Sequence, residues 1–154
     1  MRRSVGVVIL LSAIVTVIAL VGSAVADQGG GDRVLRSKLI GNTPGDPALF
    51  GVAPAGAPWE VAASDVDARR DGRIEVKVEG LVIAGRGTVG IAAVTASLYC
   101  NGTLVGTTAP APLSTDGDAE IRDTLANVPA ECPVPAVFVS PDGRPNVFFA
   151  VTGA

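Results

Sequence analysis

Two segments of the chain alternate apolar and polar side chains with a period of two residues. In residues 73–79 every second residue is Ile or Val, and the residues between them are charged. In residues 94–100 every second residue is again apolar, and Thr95, Ser97 and Tyr99 lie between them. Because successive side chains of a β-strand point to opposite faces, this pattern predicts two half-buried strands.

The dipeptide Asn101-Gly102 directly follows the second of these strands. Asn-Gly is favoured in two-residue hairpin turns because both residues tolerate a positive φ angle. An extended run at residues 103–108 comes next, so the sequence predicts a β-hairpin at this point.

Similar signals recur through the rest of the chain. Short apolar or alternating runs are separated by turn dipeptides such as Asp71-Gly72 and Asp142-Gly143, and no segment of the domain shows convincing helical periodicity. The predicted strands are residues 61–69, 73–79, 89–100, 103–108, 119–125, 134–140 and 146–152. About seven strands in roughly 100 residues predict an all-β, immunoglobulin-like antiparallel β-sandwich.

The N-terminus has the pattern of a secretory signal peptide. Arg2 and Arg3 precede an uncharged apolar run at residues 4–26, which ends in the small-residue site Ala24-Val25-Ala26. We interpret residues 1–26 as a signal peptide helix and expect the protein to be secreted, either extracellular or cell-wall associated. Because the run is close to bilayer length, an uncleaved membrane anchor that displays a surface domain is the alternative.

Residues 27–50 have the composition of a flexible linker. They are rich in Gly and Asp, and they contain a triple glycine and the turn-forming run at residues 42–47. The sandwich domain is accordingly expected at residues 51–154. Four apolar residues leave open a short edge strand within the linker: Val34, Leu35, Leu39 and Ile40.

The two cysteines are Cys100 and Cys132. In an exported domain, such a pair predicts one disulfide. If successive strands alternate in direction, both cysteines fall at one end of the sandwich. The turns at Asp71-Gly72 and Asn101-Gly102 and the loop at residues 127–133 fall at the same end.

Charge narrows the range of partners. Removal of Arg2 and Arg3 with the signal peptide changes the formal net charge from −3 to −5. Nucleic-acid binding requires a basic surface that neutralises phosphates, and this balance gives no support for it. After signal cleavage we also expect no membrane contact.

The absence of histidine limits the chemistry. It excludes His-dependent catalytic triads and His-ligated zinc or copper sites. The run Asp116-Gly117-Asp118 resembles the start of a calcium loop, but Ile121 and Asn127 stand where an EF-hand requires Gly and Glu. A turn is the preferred interpretation, and we predict no catalytic residue, metal or cofactor.

The expected function is that of a non-catalytic binding or structural domain, with an unknown extracellular protein or a cell-wall component as partner. A small secreted hydrolase that uses carboxylates is the alternative. Loops held by a rigid sandwich are common recognition sites, so the candidate surface is the end opposite the disulfide. Its residues are Trp59, Arg86, Asp116, Asp118, Asp142 and Arg144. The competing interpretation is that these are solvated turns with Trp59 packed beneath them.

Four segments carry a resemblance to known sequences, namely residues 56–59, 71–83, 96–102 and 116–121. Together they resemble small exported proteins of unknown function from high-GC Gram-positive bacteria, which implies no particular activity. The Asp-Gly-Arg-Ile run that continues to Gly80-Leu81 is also similar to the second and third strands of CHRD domains. Those domains carry an Ala-His-Ile-His motif that this chain lacks, so no functional residue is transferred from them.

Export predicts cleavage between Ala26 and Asp27. N-terminal sequencing of protein recovered from culture medium should therefore begin at Asp27, because the Ala24-Val25-Ala26 site meets the small-residue requirement of signal peptidase. Recovery of full-length chain from the membrane fraction alone would instead establish the anchor alternative.

Overall fold

The computed structural model describes residues 32–153. The signal peptide and cleavage site predicted at residues 1–26, and the start of the predicted linker, lie outside the described residues. The strands are β1 (Arg33–Ser37), β2 (Leu39–Gly41), β3 (Ala53–Pro54), β4 (Trp59–Glu60), β5 (Ala63–Arg69), β6 (Arg73–Glu79), β7 (Val82–Ile83), β8 (Ala93–Cys100), β9 (Thr103–Thr107), β10 (Ala111–Pro112), β11 (Ala119–Thr124), β12 (Pro135–Pro141), β13 (Val147–Phe148) and β14 (Ala150–Thr152).

Most of these strands belong to two antiparallel sheets. Sheet A has the order β1-β5-β6-β11, and sheet B has the order β10-β8-β12-β14-β2, with β9 also paired to β8. Two short ribbons, β3 with β13 and β4 with β7, accompany them. The prediction of an all-β sandwich is confirmed. Within residues 32–153, no helix is long and apolar enough to cross a membrane.

The core lies between the two sheets and follows the predicted alternation. In β6, Ile74, Val76 and Val78 are at most 2% exposed, whereas the residues between them are exposed. Leu98 of β8 and Val137 of β12 join the same core from sheet B. Burial of such side chains stabilises the fold by about 1.5–3 kcal/mol each, before conformational entropy is counted.

Residues 33–41 form strands, so the linker prediction is wrong for this part of the chain. β1 pairs with β5 at the edge of sheet A, and β2 pairs with β14 at the edge of sheet B. Leu39 is buried in the core, and its backbone N–H donates to Ser64 Oγ at 2.8 Å. Val34 and Leu35 also pack against the core. The edge-strand alternative is therefore correct, and the sandwich includes residues before position 51.

Residues 42–56, the covering segment, connect β2 to β4, and their middle part packs on the outer face of sheet B, the face turned away from the core. Val52 of this segment joins an outer cluster there with Tyr99, Ala136, Phe138 and Phe148. The backbone of β3 pairs with β13 in parallel, which fixes this covering segment to the sheet. At its start, Asn42 Nδ2 donates to the Ala55 carbonyl at 2.8 Å, which closes the segment into a loop.

Strand β8 is buried on both faces, and the covering segment contributes to this burial at Tyr99. Thr95, Ser97 and Tyr99, which the alternation assigned to a solvent face, are at most 8% exposed. The half-buried prediction is therefore wrong for β8. The alternation correctly separated two faces, but it carried no information about a distant segment that covers the second one.

The predicted disulfide is present between Cys100 and Cys132. It links the end of β8 to the loop before β12, where Asn101 N–H also donates to the Val134 carbonyl at 3.0 Å. Leu125, which leads into the loop that contains Cys132, donates its N–H to the Gly72 carbonyl. The turn after β5 therefore lies at the same end. The predicted shared end is confirmed. With a sequence separation of 32 residues, the crosslink contributes about 3–4 kcal/mol in the chain-entropy description.

Substitution of Gly41 tests whether β2 is an integral strand. A Cβ atom at Gly41 would collide with the Trp59 carbonyl oxygen, a backbone atom that cannot move away cheaply. We expect Gly41→Ala to lower the free energy of unfolding by about 1–3 kcal/mol. Urea denaturation of the protein measures this loss.

Gly56→Ala is the matched control for Gly41→Ala. Gly56 lies in the covering segment that follows β2, and nothing is within 4 Å of the position that its Cβ atom would take. The free energy of unfolding of this variant should therefore stay within about 0.5 kcal/mol of the native value. Equal midpoints for both variants would show that residues 39–41 are not packed against Trp59.

Candidate functional site

The outer face of sheet A carries a network of paired charges. Arg33 Nε and Arg69 Nε both lie 2.9 Å from the Asp67 carboxylate, and Arg122 lies 3.0 Å from Glu75. These pairs border a shallow depression of about 650 Å³. Asp67 and Glu75 are direct cross-strand partners, but both accept from arginine. This arrangement is typical of a solvated structural charge network and does not favour the carboxylate hydrolase.

The end opposite the disulfide contains the residues predicted as a binding surface, with one exception. Arg86, Asp116, Asp118, Asp142 and Arg144 are exposed on its loops.

Trp59 is the exception, because it is 4% exposed and its ring stacks on Phe149 at a centroid distance of 3.9 Å. It therefore belongs to the core, as in the competing interpretation of packing beneath the turns. Without Trp59, this end lacks the aromatic side chain that was one reason to predict a binding surface there.

The Asp116-Gly117-Asp118 segment forms the turn that the sequence favoured. Asp118 Oδ1 accepts from Gly80 N–H at 2.9 Å, and Ser114 Oγ accepts from Asp118 N–H at 3.0 Å. Gly117 has a φ of +88° and lies against the backbone of Leu81. Asp118 thus ties this turn to the end of β6, a structural role.

A different surface collects the exposed hydrophobic side chains. Six large hydrophobic side chains in the described residues are exposed, and five of them lie on or beside the outer face of sheet B. We call these five the apolar patch: Ile40, Leu49, Phe50, Leu104 and Val134. The sixth, Val89, lies on a loop at the opposite end. Ile40 on β2 and Leu104 on β9 lie at opposite edges of the sheet. Isolated exposed hydrophobic residues are ordinary, but several beside one sheet face mark a candidate interaction surface.

Register and contacts place the patch next to the outer cluster. Leu104 is the cross-strand partner of Tyr99, a member of the cluster. Ile40 is the cross-strand partner of Val151, which packs against the cluster. The Phe50 ring lies 6.0 Å from the Tyr99 ring and 6.2 Å from the Phe138 ring, measured between centroids. Val134 adjoins the same region through its hydrogen bond with Asn101.

Phe50 is held in an unfavourable backbone conformation. It occupies the first central position of a hairpin closed by two hydrogen bonds between Leu49 and Val52, with φ of +51° followed by +81° at Gly51. The turn at Asn101-Gly102 has nearly the same angles, +50° and +81°. Asn suits this position, whereas Phe costs about 1–2 kcal/mol.

Such strain at an exposed position suggests a function for the residue. Phe50 is 42% exposed, so nearly half of its surface faces solvent despite the strained turn that carries it. Val89 has a comparable φ of +47°, but no other exposed large hydrophobic side chain of the described residues lies at its end. Within residues 32–153, only Phe50 combines strain with exposed apolar neighbours.

Beneath Phe50, Tyr99 is buried within the outer cluster. Burial raises the pKa of the Tyr99 phenol above its ordinary value, because the charged phenolate loses hydration. Packing in the outer cluster therefore also raises the pKa of a phenol on this sheet face.

Comparison with protein-family models, curated protein sequences and solved structures found no match. The site is therefore defined by its own chemistry. Within the described residues, no group of three or more His, Cys, Asp or Glu side chains could hold a metal ion. The patch offers apolar contact area that includes one aromatic side chain.

Sequence reasoning missed the apolar patch. Phe50 fell in the predicted linker, although the run Leu49-Phe50-Gly51-Val52 carries three large apolar residues around a glycine. That pattern is typical of a turn that packs against the rest of the protein. No comparable sequence pattern predicts that Ile40, Leu104 and Val134 are exposed. Their exposure depends on where the covering segment ends.

The sole tyrosine provides a spectroscopic test of the cover. We expect the Tyr99 phenol, followed by absorbance at 295 nm, to titrate at higher pH in the native than in the unfolded protein. Since the folded-state pKa is raised, the free energy of unfolding should fall as pH rises above about 10.

Phe50→Asn should lower the pKa of Tyr99 towards its ordinary value, because Asn tolerates the positive φ but no longer shields the phenol. Val89→Asn is the matched control, since it changes an exposed apolar residue with a similar φ at the other end. If the phenol of the native protein titrated as in the unfolded chain, Tyr99 would not be covered by this segment.

Proposed function

We propose that this protein is an exported, non-catalytic binding domain whose contact surface is the apolar patch. The observation that carries the proposal is that five of the six exposed large hydrophobic side chains of the described residues lie on or beside one sheet face, a strained and half-exposed phenylalanine among them. Desolvation of such side chains supplies binding free energy of about 25 cal/mol per Å² of apolar area.

The contrast between the two outer faces supports this choice. The outer face of sheet A is charged, whereas the side chains that stay exposed on the outer face of sheet B are uncharged. These are Ile40, Leu104 and Thr107. Depletion of charge and the presence of an aromatic residue are characteristic of the centre of an interface.

The rigidity of the patch also favours binding. The hairpin of Phe50 is closed by two hydrogen bonds, and Val52 behind it is 2% exposed. β3 ties the next residues to β13. A side chain held in place before contact loses little conformational entropy on binding, which raises affinity.

The non-catalytic part of the proposal rests on the shortage of suitable groups. The chain has no His, and both of its cysteines are in the disulfide. The cross-strand carboxylates of Asp67 and Glu75 are paired with arginines. The disulfide is compatible with the oxidising environment outside the cell, which supports secretion.

Binding to whole cells tests the proposal, because it does not require an identified ligand. The exported protein, labelled at its N-terminal amine, is incubated with washed cells of the producing strain, and cell-associated fluorescence is measured against concentration. We expect saturable binding that the double variant Phe50→Asn/Leu104→Thr weakens at least about tenfold, because both changes remove apolar contact area.

Two controls define the site. Val89→Asn should bind like the native protein. Arg86→Ala/Arg144→Ala tests the loop end predicted from sequence, and it should also bind normally. If the arginine variant lost binding while the patch variant retained it, the proposed surface would be wrong and the loop end correct.

A further inference from the structure

Resting on the proposed function, we infer that the apolar patch binds the surface of a lipid bilayer. The patch consists of four aliphatic side chains and one phenylalanine, Phe50. Such side chains insert into the boundary between headgroups and acyl chains, where they need no hydrogen-bonding partner. The inference departs from the expectation that the exported domain makes no membrane contact.

The shape of the patch suits shallow insertion. Phe50 is at the tip of a two-residue hairpin, and its Cδ1 lies 3.4 Å from the position that a Cβ atom on Gly102 would take. The hairpin tip therefore lies beside the Asn101-Gly102 turn, at the disulfide end. A tip of this kind can enter a membrane interface while the sandwich stays in water.

If the apolar run is retained as an anchor, the path of the chain brings this same end towards the membrane. Asp32, the first described residue, accepts a hydrogen bond from Arg70 N–H at 2.8 Å, next to the turn after β5. That turn lies at the disulfide end. Only residues 27–31 separate Asp32 from the apolar run that ends at Ala26. An extended chain of this length spans at most about 20 Å, so an anchored run holds the disulfide end of the domain close to the bilayer.

The area of the patch argues against a second copy as the occupant. A large aromatic side chain presents about 150–250 Å² in all. The five side chains are 38–61% exposed, so together they offer on the order of 500 Å² at most. A stable dimer buries about 800 Å² on each partner.

Co-sedimentation with vesicles tests the inference. The exported protein is mixed with phosphatidylcholine vesicles at low and at high salt, and the bound fraction is measured after centrifugation. We expect binding that high salt does not abolish, because contact with an uncharged patch is not screened. Phe50→Asn/Leu104→Thr should reduce the partition coefficient at least about tenfold, and Val89→Asn should leave it unchanged.

Several results would overturn the lipid inference. These are failure of the native protein to bind the vesicles, equal binding by native protein and patch variant, or a concentration-dependent dimer that Phe50→Asn dissolves. Circular dichroism of each variant confirms that it is folded. If patch-dependent binding to cells persisted without binding to vesicles, the proposed function would stand and the lipid inference alone would fail.

Discussion

The fold depends on how residues 39–56 pack onto both sides of sheet B. Leu39 enters the core between the sheets, whereas Val52, a few residues further along, seals the opposite face against Phe138 and Phe148. One short segment therefore completes the burial of β8 and β12. Without it, the aromatic side chains of sheet B would face water, and an exposed aromatic sheet face favours aggregation.

This cover is incomplete, and the candidate site lies at its margin. The hairpin ends over Tyr99, which leaves Phe50 half exposed and Leu104 uncovered on the adjacent strand. The strained φ of Phe50 shows that the chain tolerates a local cost to keep a large apolar ring at this position. The outer face of sheet A differs, because arginine–carboxylate pairs cover it with charge.

Local patterns predicted much of the fold. Arg73–Glu79 was recognised because one face is apolar and the other charged, and Asn101-Gly102 because few dipeptides adopt two positive φ angles. The disulfide followed from the number of cysteines and the compartment.

The covering segment could not be recognised in the same way. Its pairing partners, such as β13, are about 90 residues away, and its glycines and prolines have the composition of a linker. The loop-end site failed at Trp59, since composition does not reveal whether a single tryptophan is exposed or stacked in the core.

Hydrogen exchange of the protein, free and mixed with phosphatidylcholine vesicles, tests the location of the binding surface most directly. We predict that vesicles slow exchange at residues 48–52, 101–105 and 130–135. Protection confined to residues 84–90, 113–118 and 142–146 would contradict this location.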